Sequence, residues 1–200
     1  MIRFIERHWY DIGLFLIVGI LLFLFLNFFN ISHLRIILLI SFISLLLHQL
    51  EEYRFPGGFP QMLNKVMFHS NTPDKFPLNT KTAFIINVYL GWSIYLLAIF
   101  FVDKALWIAI ISLMISLGNS VAHIFLFNIK GKTFYNPGMI TCLLLFVPII
   151  IYFLFYIHHN NIVNISDYVI GVPLGILFNY FGIFKLIDLF KDKNTKHIFK

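Results

Sequence analysis

Ile36-Ile37-Leu38-Leu39-Ile40-Ser41-Phe42-Ile43-Ser44-Leu45-Leu46-Leu47 carries no charge and ends in His48-Gln49-Leu50-Glu51-Glu52, followed at once by Tyr53-Arg54-Phe55-Pro56-Gly57-Gly58. A run of this kind predicts a helix that crosses a bilayer, with three ionisable side chains at its end. Residues three and four apart lie one above another on a helix, so His48, Glu51 and Glu52 fall within an arc of about 100 degrees. The carboxylates stand at the negative end of the helix dipole, where each costs roughly 0.3 to 1 kcal/mol. Such a violation of a local rule points to function or to a cationic partner.

Working outward, the whole chain is of one kind. Hydrophobic residues make up 60% of the 200, charged residues 12%, mean hydropathy is +0.86, and there are 25 Phe. These values exclude an ordinary soluble domain. Six runs suffice to cross about 30 Å of hydrocarbon at 1.5 Å per residue: 12–29, 34–50, 82–102, 105–127, 138–157 and 168–190. The expected fold is all-α, a polytopic six-transmembrane-helix bundle forming one membrane domain over residues 1–200. The first run lacks a small-residue cleavage site and is expected to be retained. Cys142, alone in the fifth run, has no thiol partner and reads as a small hydrophobe.

Lys and Arg accumulate on the cytoplasmic side of short-looped membrane proteins. If both termini share a side with the second and fourth loops, that side holds Arg3, Arg7, Arg54, Lys65, Lys75, Lys81, Lys130, Lys132, Lys185, Lys191, Lys193, Lys196 and Lys200, against Arg35 and Lys104 opposite. The termini are therefore expected in the cytoplasm. The net charge of +6 is explained by basic loops facing anionic lipid, without nucleic acid.

This topology gathers the buried polar residues at the cytoplasmic end. His48, Glu51 and Glu52 close the second run, Asn87 opens the third, Asn119 and His123 lie in the last part of the fourth, and Tyr135-Asn136-Pro137-Gly138 opens the fifth. Ser41, Ser44, His48 and the glutamates form one polar stripe, and Ser112, Ser116, Asn119, Ser120 and His123 a second. Such faces turn toward the bundle interior or a wet cavity. Serines and asparagines there commonly make only interhelical hydrogen bonds. Gly171, Gly175, Asn179 and Gly182 form a small-residue face on the last run, suited to close helix approach. Met62, Leu63, Val66 and Met67 recur at helical spacing opposite Gln61, Asn64 and Lys65, which predicts an interfacial helix capping the cluster; His69 reads as a solvated loop residue. Asn136 before Pro137 predicts a helix N-cap, with Tyr135 stapled onto Ile140. The free N–H groups of that helix start would hold an anionic substrate group or an oxyanion.

His48-x-x-Glu51-Glu52 with Tyr53-Arg54-Phe55-Pro56-Gly57-Gly58-Phe59-Pro60, then Asn119-x-x-x-His123, then Tyr135-Asn136-Pro137-Gly138, resembles the HXXEE domain family of bacterial integral membrane proteins. The resemblance covers a core of about 34–160. It implies the fold, a bacterial cytoplasmic membrane and the positions of a site, but no reaction.

The residues themselves suggest a membrane-embedded metal-dependent enzyme. His48 and His123, with Glu51 or Glu52, make a two-histidine, one-carboxylate donor set for zinc or iron. The other glutamate would act as general base or support a ligand, Asn119 would orient His123 or polarise a carbonyl, and Tyr135 is a further candidate catalytic residue. Zinc would make hydrolysis the natural chemistry, on a lipophilic or lipid-linked substrate. The same residues also suit metal-free acid–base catalysis. A small transporter or ion-binding protein, with Pro148 and Pro173 as kink sites, fits the charges but not their confinement to one end. A structural or regulatory membrane protein without catalysis is the remaining reading.

Overall fold

A computed structural model describes residues 2–199; Lys200 and the side chain of Arg3, both counted in the charge asymmetry, lie outside the described residues. Among these residues there is no strand. Six helices are long and apolar enough to cross a membrane: α1 Phe4–Asn30, α2 His33–Tyr53, α4 Thr80–Phe101, α5 Leu106–Gly131, α6 Met139–His159 and α7 Ile165–Leu189. A shorter helix, α3 Phe59–Phe68, lies between α2 and α4.

Local chemistry explains the ends. The Ser32 hydroxyl accepts from the Arg35 N–H and caps α2, while Asn164 and Asp167 form a capping box that starts α7 at Ile165, ahead of its apolar run. His33 opens α2, and His158 and His159 fall in the last turn of α6, so these three are helical rather than loop residues. Their end of the bundle is self-contained: His33 meets the Tyr152 hydroxyl at 2.7 Å, Arg35 donates to the Ile99 carbonyl at 3.1 Å, and Arg35 also pairs with Asp103.

The second helix is the centre of the bundle. It packs against α1, α4 and α6 and is buried on nearly all sides, with Phe42, Leu46 and Leu50 in the core along with the serines. On the far side α7 lies against α5. A Cβ added at Gly171 would fall 2.8 Å from Ile110, and one at Gly175 would fall 2.4 Å from the Met114 Cβ. Only glycine permits that approach, and Asn179 ties it by donating to the Met114 carbonyl at 3.0 Å.

Four spans contain a π-helical stretch: Ile85–Trp92 in α4, Ala122–Leu126 in α5, Cys142–Phe146 in α6 and Tyr180–Lys185 in α7. Pro148 lies two residues beyond the stretch in α6, and Pro173 lies inside α7. Such widened turns re-aim side chains and concentrate at functional sites; His123 sits in one.

Helix α3 lies across this end as expected, but its polar face differs from the pattern. Asn64 points inward and is fully buried, donating to the Pro73 and Leu78 carbonyls at 2.8 Å each and accepting from the Leu78 N–H at 2.9 Å. It pins the loop ahead of α4, a task local periodicity does not reveal. Phe59 and Leu63 are buried beneath α3, and His69 is exposed at its end.

Candidate metal centre

His48 and Glu52 are one helical turn apart on α2, and both face α5. The His48 Nε2 lies 3.6 Å from Glu52 Oε1, and the His123 Nε2 lies 3.3 Å from the same oxygen. The two imidazole rings are 4.9 Å apart and nearly perpendicular. All three side chains are at least 94% buried, and one donor atom from each falls within 4.8 Å of the others. The Phe59 ring covers His123 at 4.8 Å from outside.

The far side of each imidazole decides which nitrogen carries the proton. Asn136 donates through its amide nitrogen to the His123 carbonyl at 2.7 Å and to Asn128 Oδ1 at 2.8 Å, so its Oδ1, 2.6 Å from His123 Nδ1, must accept. The Thr141 hydroxyl has one proton and two acceptors, Glu51 Oε2 at 2.6 Å and the Gly138 carbonyl at 3.0 Å; toward His48 Nδ1, at 2.9 Å, it offers a lone pair. Both Nδ1 atoms therefore donate, and in the neutral rings both Nε2 atoms are lone-pair bearers. Neither Nε2 has a hydrogen-bond partner, although both are buried. Two imidazole lone pairs and a carboxylate oxygen thus meet in a buried pocket with no protein donor to the Nε2 atoms, which is the donor set of a two-histidine, one-carboxylate metal site.

Glu51 is directed elsewhere. Its carboxylate accepts from the Ile140 N–H at 3.1 Å, the Thr141 N–H at 2.8 Å, the Thr141 hydroxyl and the Tyr135 hydroxyl at 3.1 Å. The free amides of the α6 start, expected to receive an anionic ligand, hold this carboxylate instead. The unfavourable position of Glu51 at the end of α2 is offset by the positive end of α6. Tyr135 is part of this cage: partial burial and the adjacent Glu51 charge push its hydroxyl up to about 12.

The expected N-cap at Asn136 is not formed, because its side chain orients His123; the capping position falls to Gly138, without a side-chain bond. Tyr135 directs its hydroxyl to Glu51 Oε1, the oxygen that also receives the Ile140 N–H. Asn119 does not orient His123: its amide donates to the Ile115 carbonyl at 3.2 Å, and it lies on the wall of a neighbouring cavity. Asn87 joins an interhelical network, accepting from Gln49 at 3.1 Å and donating to the Tyr53 hydroxyl at 3.1 Å. The stripe serines largely bond within the protein, Ser116 meeting the Tyr95 hydroxyl at 2.6 Å. Thr141 was not distinguishable as a site residue, since a threonine in an apolar run carries no signal of its own. Gly138 sits between the rings with φ +105, and a Cβ there would fall 2.5 Å from His123 Cε1 and 2.8 Å from His48 Cε1. Cys142 is buried, with its sulfur 3.8 Å from His48 Nδ1.

Beside the centre lies a cavity of about 120 Å³, bounded by α2, α4, α5 and α7 and reached by His48 and Glu52 at one end. Its walls are mainly apolar.

The fold and the cluster define a class: an all-helical chain with six membrane-length helices and a buried His/Glu group able to hold a metal. Within that class the chain belongs to the HXXEE family, described as a protein of unknown function with HXXEE motif, whose model matches residues 39–153. The match contains every residue of the centre and leaves α1 and α7 outside. No curated protein and no solved structure matches the chain.

Proposed function

We propose that the protein is a membrane-embedded metal-dependent enzyme acting on a lipophilic or lipid-linked substrate at the cytoplasmic end of the bundle. The observation that carries this reading is the pair of buried, partnerless Nε2 atoms of His48 and His123 beside Glu52 Oε1. A proton shared between two of these atoms would leave the third unsatisfied, whereas one cation satisfies all three. His48, His123 and Glu52 are the ligands. A zinc or iron ion there supplies Lewis-acid polarisation and activates water, which makes hydrolysis the favoured reaction.

The surrounding residues hold that set in place. Thr141 and Asn136 keep the two imidazoles in the Nδ1–H tautomer and fix their planes. Glu51, whose carboxylate receives four hydrogen bonds, acts as a positioning residue and not as ligand or base. The basic bias of the loops supports a site at the inner face.

The test is metal analysis of protein purified in a bilayer mimetic, with chelator-sensitive turnover of lipid esters and amides as the activity readout. About one transition metal per chain is expected, lost in His48→Ala, His123→Ala and Glu52→Gln, with helical content intact. Wild-type protein that binds no transition metal on supplementation, and whose turnover ignores chelators, would overturn the metal reading in favour of acid–base chemistry by Glu52 and His123.

A further inference from the structure

We infer that the cavity beside the centre holds one aliphatic chain, so that the ligand is a single-chain amphiphile with its polar end group at His48 and Glu52 and its chain between α4 and α7. This deepens the proposed function and rests on it for the role of the polar end.

The lining shows what the occupant must be. Leu45, Ile86, Leu90, Ile115, Phe178 and Ile183 supply most of the wall. Most polar residues on it are tied into the protein: Gln49 donates to Asn87 and accepts from the Trp92 indole at 2.8 Å, Asn87 donates to Tyr53, Asn119 to the Ile115 carbonyl, and Asn179 to the Met114 and Gly175 carbonyls. An occupant thus meets a wall that is mainly apolar and whose polar side chains are largely bonded to the protein. At His48 it meets a buried imidazole Nε2 with no hydrogen-bond partner. A polar ligand would be desolvated along that wall with little compensation, whereas an aliphatic chain requires no donor.

The route is given by the π-helical stretches. Ile85–Trp92 of α4 and Tyr180–Lys185 of α7 touch each other and wall the cavity, yet neither contains a fully buried residue. Through this seam a single chain would enter laterally from the bilayer without crossing water.

The glycines on the wall offer a way to close it. A Cβ at Gly91 would have no neighbour nearer than 3.5 Å, and one at Gly182 none nearer than 3.4 Å, so a side chain can start from either position without a backbone clash. The experiment uses the full chain in nanodiscs of two-chain phospholipid, with palmitic acid carrying a mid-chain diazirine as the photolabel and metal content measured in parallel. Labelling is expected within 85–92 and 178–187, competed by unlabelled palmitic acid and lost in Gly91→Leu and Gly182→Leu, while both variants keep wild-type metal content. Labelling spread evenly over the outward faces of all six helices, or undiminished by competitor, would overturn the inference; the wild-type competition decides the matter even if a variant misfolds. Chain labelling without bound metal would uphold the cavity and remove the metal reading, and bound metal without competed labelling would do the reverse.

Discussion

Glu51 and Thr141 are joined twice: the Thr141 hydroxyl reaches Glu51 Oε2 at 2.6 Å and its backbone N–H reaches the same oxygen at 2.8 Å. Through that one hydroxyl the start of α6 is fastened to α2, and His48 receives its acceptor. The two adjacent glutamates of the HXXEE motif therefore divide two tasks, Glu52 toward the imidazoles and Glu51 toward the α6 amides.

The division predicts opposite mutant behaviour. Glu51→Gln weakens charge-assisted bonds to the part-buried Ile140 and Thr141 N–H groups and is expected to lower stability by about 1 to 3 kcal/mol, seen as a lower Tm with or without metal. Glu52→Gln is expected to lose the metal without lowering the metal-free Tm, since it removes a buried carboxylate and offers an N–H to an unpartnered imidazole Nε2. Thermal melts of both variants, with and without chelator, check this; equal loss of metal-free stability in the two would contradict it.

Asn136 sets the His123 tautomer from the far side of the ring, at Nδ1, away from the nitrogen that faces Glu52. Asn136→Ala is expected to weaken metal affinity about 10- to 100-fold, in the range of lost imidazole-orienting bonds. Competition against a calibrated chelator measures it, and unchanged affinity would remove Asn136 from the site.

Gly138 is wedged between the imidazoles at a φ that L side chains rarely adopt. Gly138→Ala is expected to displace at least one ring, abolishing metal binding and activity while the spans still insert. A metal-replete Gly138→Ala protein would show that the rings tolerate separation.

Tyr135 gives a pH signature. Its hydroxyl is pushed from the usual 10 up to about 12, first by burial and then by Glu51, so the folded chain holds this proton more tightly than the unfolded one. The associated stability is complete below pH 10 and is lost as pH rises toward 12. Wild-type stability should therefore fall more steeply across that window than that of Tyr135→Phe. Parallel alkaline slopes for the two proteins would refute the Tyr135–Glu51 coupling.

Much of this could be read before any coordinates. Apolar runs of membrane length specify the six spans, because hydrocarbon thickness and helical rise are constants. His48 and Glu52 share a face by i,i+4 spacing, and the charge asymmetry brought His123 and Tyr135-Asn136-Pro137-Gly138 to the same depth. Other features were hidden. Asn64 looked like a solvent-facing residue of an amphipathic helix and is buried, because the loop it holds is invisible to a helical wheel.

The linear order thus carried everything that depends on periodicity, hydropathy and depth: an all-α chain, six spans, and one end rich in histidine and carboxylate. Which carboxylate meets His123, whether the α6 amides face a ligand or Glu51, and whether Asn136 caps a helix or orients a ring emerged only from α2, α5 and α6 in contact. Those outcomes turn on hydrogen-bond direction and distances of a few ångströms between segments far apart in the chain, which no local pattern encodes.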